Sequence, residues 1–133
     1  MAGIVLNNLN LKKGHCLELT GLIPPDAKGF IVNLGKDSST YVIHFNARFD
    51  LHGDINTIVC NSKADDAWGE EQRETSFPFV QGAEALVCFE HQEDKLIIKL
   101  SNGQEISFPI RMPVDTISFL SLEGFELKSL TLQ

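Results

Sequence analysis

From Thr40 to Phe49 the chain alternates with a period of two: Tyr41, Ile43, Phe45, Ala47 and Phe49 on one side, Thr40, Val42, His44, Asn46 and Arg48 on the other. Successive side chains of a β-strand point to opposite faces of its sheet. The run therefore predicts a strand with an apolar core face and an opposite face carrying an imidazole, an amide and a guanidinium, neighbours roughly 7 Å apart. Ile55 to Asn61 predicts a second strand ending at Asn61, and Ser62 to Asp66 a polar turn after it. Leu17 and Leu19, Phe30 to Leu34, Ala85 to Phe89, Leu96 to Leu100, Ile106 to Phe108, Ile117 to Leu122 and Phe125 to Leu132 are further apolar or alternating runs. They are punctuated by Pro24-Pro25, Gln81-Gly82, Asn102-Gly103, Pro109, Pro113 and Glu123-Gly124. Asn102-Gly103 between two such runs predicts a hairpin. His15 and His91 fall in expected turns and carry no functional expectation. With no helical period, repeat or low-complexity segment, the pattern predicts an all-β chain, an antiparallel β-sandwich of jelly-roll type.

The polar face of the first strand carries the candidate chemistry. His44, Asn46 and Arg48 sit at i, i+2 and i+4. Together they offer donors, an amide acceptor and an imidazole, and need no metal to hold a neutral polar ligand. Sugar hydroxyls, each both donor and acceptor, suit such an array. A solvated strand face would more ordinarily present Lys, Glu and Thr. Downstream, the only tryptophan stands in a polar setting, Trp68-Gly69-Glu70-Glu71-Gln72-Arg73. An indole beside hydrogen-bonding groups gives the apolar C–H face of a pyranose a surface to pack on. Glu71 and Arg73 share a face, and Gly69 permits a bulge that restores the alternation after Trp68. Glu71 is then placed to pair with Arg48 or with Arg73, and such pairs fix one another before a ligand arrives.

His44-Phe45-Asn46-Ala47-Arg48, then Asn61, then Trp68-Gly69-Glu70-Glu71-Gln72-Arg73 resembles the β-galactoside-binding signature of the galectins. The whole length, residues 1–133, resembles one galectin carbohydrate-recognition domain of the single-domain prototype group. The resemblance implies the galectin and concanavalin-like jelly roll and a lectin rather than an enzyme, with neither metal nor cofactor. It implies that Trp68 stacks on galactose, that His44, Asn46 and Arg48 hold the axial 4-hydroxyl, and that Asn61 and Glu71 hold the 6-hydroxyl. Arg48 and Glu71 would also reach the adjoining glucose or N-acetylglucosamine, with His52, Asp54 and Arg73 at the far end of the groove. Lactose and N-acetyllactosamine are the expected ligands, and galactoside glycans on glycoproteins and glycolipids the expected partners. The resemblance also implies synthesis in the cytosol and passage to the cell surface without a signal peptide. It implies as well a non-covalent homodimer, joined through terminal strands, that cross-links glycoconjugates.

Composition narrows the field without selecting within it. At 133 residues the chain is long enough for one domain burying roughly two thirds of its unfolded surface. A net charge of −7 and a pI near 4.9 argue against nucleic acid, whose phosphates demand a basic surface. No run approaches a membrane span, and the short apolar stretch Ala2 to Leu6 lacks the charged leader and cleavage site of a signal peptide. Cys16, Cys60 and Cys88 form an odd set without metal spacing, which reads as free thiols in a reducing compartment. Apolar residues at both ends, Ile4, Val5, Leu6 and Leu9 and then Leu127, Leu130 and Leu132, ask for cover beyond what alternation buries. Pairing across a two-fold axis would supply it, and would give two shallow sites, each with an expected dissociation constant on the order of 0.1 mM, the avidity to cross-link.

Three other functions leave marks that this chain lacks or explains otherwise. A glycosidase ordinarily needs two carboxylates about 5 to 9.5 Å apart around the scissile bond. Glu70 and Glu71 point to opposite faces, which leaves Asp54 as the only second carboxylate. A calcium-dependent lectin needs clustered acidic ligands, and Asp65-Asp66 is better explained as a solvated turn. An intracellular scaffold on the galectin fold, acting through protein partners, would be expected to carry substitutions in the signature, and none is found. His44 finally implies a pH dependence: protonation near the ordinary histidine pKa of about 6.5 would replace its acceptor nitrogen with a donor, weakening lactose binding in mildly acidic buffer.

Overall fold

The computed structural model describes residues 3–133, so Ala2, at the head of the amino-terminal apolar stretch, lies outside the described residues. In chain order the strands are β1 (Ile4–Leu6), β2 (Leu11–Lys12), β3 (Cys16–Leu22), β4 (Gly29–Asp37), β5 (Thr40–Leu51), β6 (Asp54–Ala64) and β7 (Ala67–Trp68). They continue as β8 (Gln72–Glu74), β9 (Glu84–His91), β10 (Lys95–Leu100), β11 (Glu105–Pro109), β12 (Thr116–Ile117), β13 (Phe119–Glu123) and β14 (Glu126–Leu132). One sheet runs β1-β13-β4-β5-β6-β7, with β8 also on β6. A second runs β11-β10-β9-β3-β14, and β12 pairs with β2 in a small ribbon. The pairings are antiparallel throughout, the β-sandwich the pattern predicts.

The two large sheets meet through their apolar faces. Phe45 on β5 lies edge-to-face on Phe89 of β9, ring centroids 5.8 Å apart, and Phe30 on β4 meets Phe79 at 4.9 Å. Such edge-to-face pairs add about 0.5–1.5 kcal/mol each beyond the area they bury. Leu17, Leu19, Val87, Ile98 and Phe108 close the core from the second sheet. One apolar cluster therefore fixes the back of β4, β5 and β6, and with it the direction in which their polar residues point.

The strict alternation expected from Thr40 to Phe49 fails at its start. Val42 and Ile43 are neighbours in sequence, yet both lie in the core, while Tyr41 comes out on the face of His44, ring centroids 6.4 Å apart. The register of β5 slips against β6 between Tyr41 and His44, and against β4 at Gly35. A bulge of this kind inserts one unpaired residue and inverts every side chain upstream of it. Gly35 makes it possible, because a Cβ there would collide with the Thr40 carbonyl oxygen.

Other boundaries shift for similar local reasons. Ser62 to Ala64 continue β6 instead of turning, and the reversal is confined to Asp65-Asp66. Both aspartates have positive φ, 49° and 67°, the two-residue geometry that matches strand twist. Ile117 to Leu122 is not one strand: the Ser118 amide turns to the Gly35 carbonyl at 3.1 Å, which separates β12 from β13. The Asn102-Gly103 hairpin forms as expected, with Gly103 at φ 87°. His91 is not in a turn but ends β9 in the interior, where Nδ1 donates to the Leu11 carbonyl at 3.1 Å. β1 and β14 end as edges of the two sheets, leaving Val5 60% and Leu132 41% exposed.

Candidate functional site

Three antiparallel strands present the candidate residues in rows. Asn33 of β4 stands beside His44 of β5, which stands beside Asn61 of β6; one row along, Ile31, Asn46 and Val59 align, and then Gly29, Arg48 and Thr57. The face they share forms an open groove of about 480 Å³. His44, Asn46, Arg48, His52, Asn61, Trp68 and Glu71 line it, together with Ile31, Leu51 and Gly69. The sequence expectation brought these seven polar and aromatic residues together; Asp54 and Arg73 stand at the groove's end and are not part of its wall.

Those two residues hold an ion chain. Arg48 Nη1 lies 2.6 Å from Asp54 Oδ2, Arg73 Nη2 lies 3.2 Å from the same oxygen, and Arg73 Nη1 lies 2.6 Å from Glu71 Oε1. Glu71 thus pairs with Arg73, and Arg48 takes Asp54 instead. Hydrogen bonds from Arg73 and Arg48 hold the Asp54 carboxyl below the usual carboxylate range. A two-residue turn at His52 and Gly53, φ 53° and 84°, brings β5 back into β6 and sets Asp54 opposite Leu51. Arg48 also donates from Nε to Asn46 Oδ1 at 2.7 Å, while Asn46 Nδ2 donates to the Phe30 carbonyl at 3.0 Å. Arg48 and Asn46, 9% and 2% exposed, are therefore locked before any ligand enters.

Trp68 is the opposite case, exposed at 52%. Its indole stands 4.8 Å from the His44 ring and 6.1 Å from Tyr41, and the Lys63 ammonium lies 5.2 Å from its ring centre. The chain leaves Trp68 through Gly69, whose amide donates to the Ser62 carbonyl at 2.9 Å. A Cβ on Gly69 would come within 2.9 Å of Ser62 Oγ and 3.0 Å of Arg111 Nη1, so a larger residue there would have to displace these side chains. Asn61 Nδ2 donates to the Gly69 carbonyl at 3.2 Å, and Asn61 Oδ1 accepts from the Ser62 amide at 2.7 Å and from Arg111 at 3.4 Å. What remains of Asn61 for a ligand is one N–H.

His44 departs from its expected titration. Burial, then the positive charges of Arg48 and Lys63, push its pKa down to about 4, with Glu71 pulling the other way. The neutral ring persists down to about that pH, so acid weakens a ligand bound to its lone pair only as pH falls through about 4, not in mildly acidic buffer. Lactose affinity measured by calorimetry is expected to stay within about twofold from pH 7 to about pH 5 and to fall below that. A titration midpoint in the affinity near pH 6.5 would overturn this assignment. Burial likewise pushes the Cys60 thiol up to about 12, leaving little thiolate to oxidise.

Residues 4–132 match the profile of the family described as galactoside-binding lectin. The chain belongs to the galectins. Galectin-1 of Rhinella arenarum is 64% identical to it over 130 residues, covering 98% of this chain and 97% of that protein. Among solved structures, a toad ovary galectin in complex with thio-digalactose superposes with a TM-score of 0.98 at 62% identity, covering 100% and 99% of the two chains. The homodimeric agglutinin CG-16 from chicken liver does so with a TM-score of 0.94 at 44% identity, covering 99% and 100%. This galectin is thus a β-galactoside-binding lectin of the galectin-1 type and not an enzyme. Among its described residues no helix is long and apolar enough to cross a membrane.

Four residues that contact the groove's lining side chains carry no clear mark in the sequence pattern. Asn33 accepts from His44 Nδ1 at 2.7 Å, and its only trace in the sequence is an amide within the apolar run Phe30 to Leu34. Arg111, about fifty residues from Asn61 and Ser62, reaches both with no local signal, its guanidinium 4.7 Å from the Phe108 ring. Strict alternation puts Tyr41 in the core, and the bulge turns it onto the face of His44. Lys63 falls in the expected turn Ser62 to Asp66 but lies within β6.

Proposed function

We propose that this galectin holds the galactose of lactose or N-acetyllactosamine on Trp68, without metal or cofactor, through the hydrogen-bonding capacity left over in the groove. The observation that carries this reading is which atoms remain. Each side chain has already spent its inward-facing groups: His44 on Asn33, Asn46 on Phe30, and Arg48 on Asn46 and Asp54. Left facing the groove are the His44 Nε2 lone pair, the second Asn46 N–H and the remaining Arg48 N–H groups. One hydroxyl that donates to Nε2 and accepts from the other two meets all of them. The axial 4-hydroxyl of galactose, standing off the ring on the side away from the indole, fits that requirement; an equatorial one lies out of reach.

A second set serves the 6-hydroxyl. It accepts from the free Asn61 N–H and donates to Glu71, whose other oxygen is held by Arg73. Arg48 and Glu71 reach on to the neighbouring sugar. His52 lines the far end, while Asp54 and Arg73 support it through the ion chain. The thio-digalactose bound to the toad ovary galectin supports this chemistry. Leaving the 4-hydroxyl set unpaired costs about 1–3 kcal/mol per group, so lactose is expected to bind at least about tenfold more tightly than cellobiose in calorimetry. Equal affinities would remove His44, Asn46 and Arg48 from the role assigned to them.

The same reading takes residues 1–133 as one carbohydrate-recognition domain, supported by a single apolar cluster spanning both sheets. Two copies join by their outer strands β1 and β14, where Val5 and Leu132 stand exposed at edges that offer unpaired backbone groups. The homodimeric CG-16 supports this assembly, and the paired sites then cross-link glycans on glycoproteins and glycolipids. The thiols of Cys16, Cys60 and Cys88, all free, suit synthesis in the cytosol, with cross-linking outside the cell. Sedimentation at micromolar protein is expected to show a dimer, and Val5→Lys to shift it toward monomer without changing lactose affinity per site. A wild-type monomer would remove cross-linking and leave the sugar site standing.

A further inference from the structure

Behind His44 lies a row of neutral polar groups outside the groove's lining. Ser121 of β13 stands opposite Asn33 of β4, and Asn33 opposite His44 of β5. Asn33 Nδ2 donates to Ser121 Oγ at 2.9 Å, and Asn33 Oδ1 faces His44 Nδ1 at 2.7 Å. An amide oxygen only accepts, so Nδ1 carries the proton and Nε2 is left as a lone pair. Were the amide reversed, its NH2 would face Nδ1 and drive the proton onto Nε2, turning the groove's acceptor into a donor. Ser121 can act as acceptor or donor, so it accommodates either arrangement. In the observed arrangement Asn33 Nδ2 is spent on Ser121 Oγ at 2.9 Å, which turns only the Oδ1 acceptor toward Nδ1.

We propose that Asn33, steadied by Ser121, is a positioning residue that fixes His44 as the Nδ1-protonated tautomer and so creates the acceptor the galactose 4-hydroxyl needs. Asn33 is 6% exposed, which leaves little opening for a water to take over its part. The consequence for the sugar rests on the function proposed above, whereas the tautomer itself does not depend on any ligand. The charged groups bearing on the ring are Arg48 on its own strand, Lys63 on β6 and Glu71 beyond β7; β4 and β13 present only the uncharged Asn33 and Ser121. A carboxylate at position 33 would therefore be the one new charge on that side.

Three variants test this on the intact protein. Nitrogen NMR of the ligand-free wild type is expected to show His44 protonated at Nδ1, and Asn33→Leu to show a mixed or Nε2-protonated ring with lactose affinity down about tenfold or more. Ser121→Ala, which loosens but does not remove the amide, is expected to fall between. Asn33→Asp discriminates best: its carboxylate still accepts from Nδ1 but stabilises the imidazolium. Lactose binding should then be weak near pH 6 and recover toward about pH 8, a limb absent from wild type. A residue that merely filled space would not create such a limb. Wild-type His44 protonated at Nε2, or an Asn33→Asp profile that follows wild type, overturns the proposal. A wild type that shows the Nδ1 tautomer but no lactose binding would refute the sugar role while leaving the tautomer lock intact.

Discussion

Arg48→Lys is expected to lower lactose affinity by about a hundredfold while keeping the charge, because the side chain's shape is what the site uses. The guanidinium sends Nε to Asn46 at 2.7 Å and Nη1 to Asp54 at 2.6 Å, and still turns N–H groups toward the groove. An ammonium is a point donor on a flexible stem and cannot meet Asn46, Asp54 and a sugar hydroxyl from one fixed position. Arg48→Met should abolish measurable binding and also cost about 1–3 kcal/mol in urea unfolding, since it leaves the buried Asn46 oxygen without its donor. The pair of variants separates charge from geometry. Lysine binding within threefold of wild type would show that charge alone suffices, and the array argument would go with it.

Trp68→Ala is expected to be the inverse, with binding lost and the fold kept. More than half of the indole faces solvent, so its removal should change the midpoint of unfolding by no more than about 1 kcal/mol equivalent. On the proposed stacking, the sugar face would lose nearly all its apolar cover, a loss on the order of 2–3 kcal/mol, or about thirty- to a hundredfold in lactose affinity. Trp68→Phe should recover part of it, in proportion to the smaller ring. Calorimetry with circular dichroism on the same samples reads both quantities. Wild-type affinity in the alanine variant would mean that the sugar sits elsewhere than against this ring.

Arg48 and Trp68 were both visible in the sequence, for different reasons. Arg48 shares a period of two with His44 and Asn46, and downstream of the bulge that period is undisturbed. Trp68 stood out as a lone indole among polar residues, a setting in which burial is unrewarded. Tyr41 shows where this kind of reading stops. One residue of slippage at Val42 and Ile43 exchanged the faces, and the glycine that permits it, Gly35, lies on another strand. The pH behaviour of His44 was likewise out of reach, because its lowered pKa comes from burial and from charges that only the fold brings near.

Local alternation and residue type, which need no knowledge of neighbouring strands, determined that this chain is a β-sandwich and that an imidazole, an amide and a guanidinium share one face near a tryptophan. Which partner each of them took was decided by tertiary structure alone. Asp54 rather than Glu71 met Arg48, and Asn33 and Ser121 came to stand behind His44. Arg111 crossed from the far side of the chain to brace Asn61. Hydrogen bonds between strands follow sheet order and register, and these join residues from 6 to 88 positions apart that no periodicity relates.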